Sequence, residues 1–175
     1  MKNQIFLALW LLGLLVASGV AQDQAELEKI DDKLSRHLAA QMPGWKHKRG
    51  EPVEGSSNVV IERWGTSNRA VTISIVPHKT ANEAREALIN FVKYDRDKQE
   101  IDGLGDQAVA WGYGLSNIVL RKGRFNIFVS SYAEVSSEPD ARLLAGPEKG
   151  ERDRLEVGRL SREFARHIMK ALDAP

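Results

Sequence analysis

Residues 103–133 read GLGDQAVAWGYGLSNIVLRKGRFNIFVSSYA, and this stretch decides the fold. It reads as a glycine corner, a strand, a second turn at Gly112-Tyr113-Gly114 and a tight β-hairpin. Lys122-Gly123 can supply the two central residues of the hairpin turn, because glycine takes positive φ without steric cost. That turn sets Arg121 opposite Arg124, Leu120 opposite Phe125 and Ile118 opposite Ile127. Opposed residues share a face, so Ile118, Leu120, Phe125, Ile127 and Val129 make one apolar surface. The other face takes Asn117, Val119, Arg121, Arg124, Asn126, Phe128 and Ser130. It is mostly polar and is expected to meet water.

Upstream, residues 58–65 and 69–76 form a second expected hairpin. Val71, Ile73 and Ile75 alternate with Thr72, Ser74 and Val76, the period of a half-buried strand. A three-residue loop, Thr66-Ser67-Asn68, places Ile61 opposite Ile73 and Val59 opposite Ile75, with Asn68 left-handed. Val60, Glu62 and Trp64 then fall on the polar face. Before it, Trp45 to Val53 reads as a charged edge strand, and Gly55-Ser56-Ser57 as a turn.

Three helices complete the pattern. Leu27, Ile30, Leu34 and Leu38 recur at helical spacing over 25–41, and Pro43-Gly44 ends the run. Thr80-Ala81-Asn82-Glu83 is a capping-box pattern opening a helix with Ala84, Leu88, Phe91 and Val92 on its stripe. From about Glu151, Val157, Leu160, Phe164, Ile168 and Leu172 mark the last helix, which Gly158 weakens. Residues 134–150 show no period and read as a long loop. The fold class expected is α+β: a two-layer domain, order α-β-β-β-α-β-β-β-α, with a mainly antiparallel sheet of about five to six strands. Its helices pack on one face.

The amino terminus has the layout of a secretory signal. Lys2 precedes an apolar run from Ile5 to Val16, and small residues follow at Ala17, Ser18, Gly19 and Ala21. Cleavage after Ala21 leaves residues 22–175 as a single domain. The chain carries a formal charge of +1 and no cysteine. Loss of Lys2 makes the remainder neutral, so no global field steers it onto nucleic acid. Without cysteine there is no disulfide, thiol nucleophile, cysteine-bound zinc or lipid-bearing thiol. A periplasmic or secreted location is expected, with no integral membrane segment after cleavage.

Motifs for chemistry are sparse. His37, His47, His78 and His167 are scattered, without metal-ligand spacing. The glycine pairs at 103–105 and 112–114 precede strands, whereas a phosphate loop precedes a helix. No G-x-S-x-G occurs. Arg159, Arg162, Arg166 and Lys170 line one side of the last helix, interleaved with Glu156 and Glu163, and read as an internally paired face. Neither a metal nor a cofactor is called for. The candidate binding residues are Trp64, Trp111 and Tyr113, which fall at or beside turns and would grip a ligand if gathered.

G-L-G-D-Q-A at 103–108, followed by V-L-R-K-G-R-F-N-I-F-V at 119–129, resembles a pattern in small bacterial secreted or lipoprotein domains of unknown function. In these a G-L-G-D-x-A corner precedes a hairpin and a helix ends the domain. The resemblance spans the latter half of the chain. It implies an exported α+β domain and carries no catalytic residue. The expected function is a non-catalytic binding or accessory module of the bacterial cell envelope, its partner a protein or small ligand there. The alternatives are a small periplasmic hydrolase with its site under residues 134–150, and a membrane-peripheral protein held by its amino terminus or basic last helix.

Overall fold

A computed structural model of the protein describes residues 24–51, 59–141 and 143–174. The expected leader at 1–21 and the turn at Gly55-Ser56-Ser57 lie outside the described residues. Helix α1 covers residues 24–41. It is followed by β1 (Lys46–Arg49), β2 (Val60–Gly65), β3 (Arg69–Pro77), α2 (Ala81–Phe91) and β4 (Gln99–Glu100). Strands β5 (Gln107–Trp111), β6 (Asn117–Lys122) and β7 (Phe125–Ala133) and helix α3 (Gly146–Asp173) complete the order.

The class is α+β, with one antiparallel sheet ordered β1-β2-β3-β7-β6-β5-β4. Two meanders, β1-β2-β3 and β4-β5-β6-β7, join where β3 pairs with β7. The sheet has seven strands instead of five or six, because Gln99–Glu100 pairs with Val109 and Ala110 at the far edge. Two residues of charged sequence carry no alternation from which such a strand is readable.

The hairpin turn lies one residue later than expected. Lys122 pairs with Phe125, Leu120 with Ile127 and Ile118 with Val129, so Gly123 and Arg124 form the loop, with Gly123 at φ +56°. Each partner moves by two positions. Side chains repeat every two residues, so the faces survive the shift. Ile118, Leu120, Ile127 and Val129 are all buried on one side, as anticipated.

The β2–β3 hairpin differs by one position, and there the faces invert. Thr66 N–H donates to the Arg69 carbonyl at 2.8 Å, so the loop is Ser67-Asn68 and not the three residues expected. Glu62 pairs with Ile73 and Val60 with Ile75. Asn68 is not left-handed; among the described non-glycine residues only Leu115 has positive φ. Val60, Glu62 and Trp64 turn into the core with Val71, Ile73 and Ile75. Burying Val60 and Trp64 outweighs the cost of Glu62, since each large apolar side chain contributes about 1.5–3 kcal/mol.

The helices do not share one face. Leu27, Leu34 and Leu38 of α1 join Val157, Leu160, Phe164 and Ile168 of α3 over the apolar side of the sheet. Helix α2 lies on the other side, where Leu88 and Val92 meet Val109 and Val119. The topology requires this. The chain leaves β3 at mid-sheet and must pass β7, β6 and β5 to reach β4, and one face is already filled by α1 and α3. Thr80 caps α2 as its sequence suggested, accepting the Glu83 N–H at 3.1 Å.

Asn126 therefore lies under α2 and not in water. It is 1% exposed, and its Nδ2 donates to the Ala84 carbonyl at 2.9 Å and approaches His78 Nε2 at 3.1 Å. Burial depresses the His78 pKa, which suits a neutral ring accepting that N–H. Asn126→Ala is expected to cost about 1–3 kcal/mol by urea unfolding, the usual penalty for stranding buried partners. A solvent-facing Asn126 would give almost no change.

Candidate functional site

Trp64, Trp111 and Tyr113 do not gather. Trp64 is buried on the α1/α3 side, where its ring stacks on His47 with centroids 4.4 Å apart. Trp111 lies on the opposite side of the sheet and meets Phe91 of α2 edge-on at 5.5 Å. Tyr113 is exposed, and its hydroxyl donates to the Gly150 carbonyl at 2.5 Å. Strands β2 and β5 are four positions apart in the sheet, and no single ligand bridges the three.

The register of β2 creates an assembly that sequence did not reveal. Glu62 is 1% exposed and faces Asp31 of α1, itself 3% exposed. Ser35 donates to Glu62 Oε1 at 2.9 Å and the Trp64 indole to Oε2 at 3.2 Å. His47 Nε2 contacts the same Oε2. Asp31 Oδ2 has Arg49 at 3.3 Å, while buried Oδ1 has no donor. Desolvation, then the hydrogen bond to Glu62 and its charge, pushes Asp31 up to about 7. Two carboxylates this close favour one shared proton. Protonated Asp31 donates to Glu62. Burial lowers His47, opposed by the Asp31 charge. Its neutral ring then donates Nε2–H to Glu62. The group can hold and exchange a proton. It meets solvent through His47, whose side chain is 32% exposed, and Arg49.

Two of the histidines read as scattered come together. His37 of α1 and His167 of α3 stand with ring centroids 5.8 Å apart. His37 Nε2 and His167 Nδ1 are buried without partners. Desolvation and then Lys170 depress His167. Among the described residues no group of three or more metal-ligating side chains forms.

The described part of 134–150 carries 3-10 turns at Val135–Ser137 and Pro139–Ala141. Helix α3 begins at Gly146, not near Glu151. Pro147 stands in its first turn, and Glu148 accepts the Ala145 N–H at 3.0 Å. Glu138 accepts from Asn68 and from Arg69, the latter at 2.8 Å, and pairs with Arg152 at 3.3 Å. Arg69 also pairs with Glu156 at 2.7 Å, and Arg159, more than Arg69, holds Glu156 down to about 2. The cleft of about 230 Å³ here is lined by Arg69, Arg152, Glu156 and Arg159 with two apolar residues. All four charges are ion-paired, Arg69 and Arg159 with Glu156 and Arg152 with Glu138 and Asp140, and no histidine lines the cleft.

A larger cavity, about 350 Å³, opens where α3 meets the turn at Tyr113–Leu115. Its walls include Asp97, Gln99, Gly112, Gly114, Leu115, Arg154, Leu155, Gly158 and Arg162. The turn and helix touch backbone to backbone: a Cβ on Gly114 would overlap the Arg154 carbonyl, and one on Gly158 the Gly114 carbonyl. Gly114 and Leu115 both hold φ +61°. For leucine that conformation costs energy and persists only where the surroundings impose it. Arg154 is spent on Glu151 through two bonds of 2.6 and 2.5 Å. Arg162 lies with Nη1 about 3.7 Å from the space a Gly158 Cβ would fill. Neither the Arg162 nor the Asp97 side chain is hydrogen-bonded or ion-paired among the described residues. The reading of a paired last-helix face thus holds for Arg159, bonded to Glu156 and Glu163, but not for Arg162.

No protein-family model, curated protein or solved structure significantly matches this chain. Among the described residues no helix is long and apolar enough to cross a membrane.

Proposed function

We propose that the protein is a non-catalytic binding or accessory domain of the bacterial cell envelope, exported by its amino-terminal segment and acting through the cavity between α3 and the Tyr113–Leu115 turn. One observation carries this reading. The cavity has an uncommitted cation and an uncommitted anion, Arg162 and Asp97, on a frame fixed by backbone contact. Sites for small molecules are such concavities, with few polar groups placed by rigid elements. The leader layout before Gln22 and the absence of cysteine support export.

A catalytic reading draws on a different place, the contact of His47 with Glu62 beside Asp31. These groups lie away from the cavity, and Ser35 and Trp64 already occupy Glu62. The domain starting at Gln22 is to be screened against small polar molecules by ¹⁵N chemical shifts and against a hydrolase panel. Shifts at Gly112–Leu115 without turnover are expected. Turnover that Glu62→Gln abolishes, with the circular-dichroism spectrum unchanged, would overturn the reading in favour of the hydrolase. Mass spectrometry of the exported chain is expected to find its first residue at Gln22. A retained Met1 would favour a membrane-held protein.

A further inference from the structure

Resting on that reading, we infer that the cavity takes a small zwitterion carrying a carboxylate and an ammonium group, of the amino-acid class, with the carboxylate on Arg162 and the ammonium on Asp97. Four charged or amide side chains bear on the choice: Asp97, Gln99, Arg154 and Arg162. The Arg154 charge is cancelled by its fork-to-fork pairing with Glu151. That leaves one charge of each sign, and the two are not paired with each other. A simple anion would satisfy Arg162 and leave Asp97 facing it. A simple cation would do the reverse. A molecule with both charges satisfies both walls.

The remaining surface fits the same class. Guanidinium presents a planar fork that matches a carboxylate. Gly112 and Gly114 bare their backbone to the cavity, and Gln99 adds an amide that both donates and accepts. Leu115 and Leu155 offer apolar contact for a short side chain. About 350 Å³ lies at the small end of ligand sites, which suits an amino acid better than an acyl chain or an oligosaccharide.

The test uses the domain starting at Gln22 and the twenty standard amino acids as probes, read by ¹⁵N shifts at Gly112, Gly114 and Leu115. Each binder is compared with its deamino acid and its decarboxylated amine. The zwitterion is expected to bind at least tenfold more tightly than either half. Arg162→Gln is expected to weaken the zwitterion and the deamino acid about tenfold and leave the amine unchanged. Asp97→Asn is expected to do the converse. Both variants should keep the native unfolding midpoint, since neither side chain is hydrogen-bonded or ion-paired among the described residues. Equal binding of zwitterion and deamino acid would overturn the zwitterion assignment while leaving the cavity as the binding site. No shift with any amino acid, where other small polar molecules do shift these residues, would overturn it equally. Silence of the cavity toward every probe would remove the binding reading as well.

Discussion

Gly158→Ala is expected to destabilise the protein by roughly 3 kcal/mol, although alanine is the better helix former by about 1 kcal/mol. The reason is tertiary. Gly158 sits within α3 where the Gly114 carbonyl presses on the helix, and an added methyl would overlap that oxygen. Both partners are backbone, so neither can rotate away. The helix must move off the turn, or the turn must lose its left-handed residues. Gly150→Ala provides the comparison in the same helix. Its new methyl would meet only the Tyr113 hydroxyl, at 3.9 Å, so propensity prevails and stability rises by about 0.5–1 kcal/mol. Chemical denaturation of both variants checks the pair. Two gains of similar size would show that α3 and the turn do not touch. Since Gly158 also lines the cavity, its variant should lose ligand-induced shifts at Gly112–Leu115 while the Gly150 variant keeps them.

Asp31→Asn is expected to make stability less dependent on pH and to raise it above neutrality. Asp31 ordinarily titrates near 3.8 and is pushed up to about 7 in the fold. Between those values the folded protein holds a proton that the unfolded chain has released. Stability therefore falls as pH rises through that window, by about 2–4 kcal/mol in total at 1.36 kcal/mol per pKa unit. His47 acts with the opposite sign. Its pKa is lowered from 6.5 by burial, so its contribution is lost as pH falls below that value. The two effects oppose each other as pH falls from 6.5. The fall should run from about pH 4 to about pH 7 and level off above that, once folded Asp31 has released its proton too. An asparagine at this position still donates to Glu62 and cannot ionise, so the fall should vanish, with about 2 kcal/mol gained at pH 8. The Arg49 partner lost is half exposed, and such pairs contribute about 1 kcal/mol or less. Urea unfolding of the two proteins from pH 5 to 8 measures this. A native profile that falls no more between pH 5 and 7 than that of Asp31→Asn would mean that Asp31 and Glu62 do not share a proton.

Much of the architecture was legible locally. Pro43-Gly44 stopped α1, Thr80 with Glu83 started α2, and the stripe from Val157 to Leu172 drew α3. In the β6–β7 hairpin a misplaced turn moved each partner by two residues, which period-two side chains tolerate. In β2–β3 a loop shorter by one residue inverted the faces. The competing patterns, Ile61 inward or Val60 and Trp64 inward, differ little in sequence. Packing against α1 and α3 decided between them, and it carried Glu62 inside. Val119 and Phe128 on the supposed water face were the local sign that α2 would cover it. Gly158 read as a flaw in a helix because nothing nearby in sequence announces Gly114.

Sequence by itself determined the three helices, the longer strands, their period and the antiparallel pairing of neighbours, because these depend on residues a few positions apart. The tertiary structure alone decided what meets across the layers: Asp31 with Glu62, His37 with His167 and Gly114 with Gly158, and it brought Asp97 and Arg162 to the lining of one cavity. Those pairs are far apart along the chain or sit on elements whose facing depends on a single residue of loop length. Burial, which turns a carboxylate into a proton store and a glycine into a hinge of close contact, is a property of the packed whole.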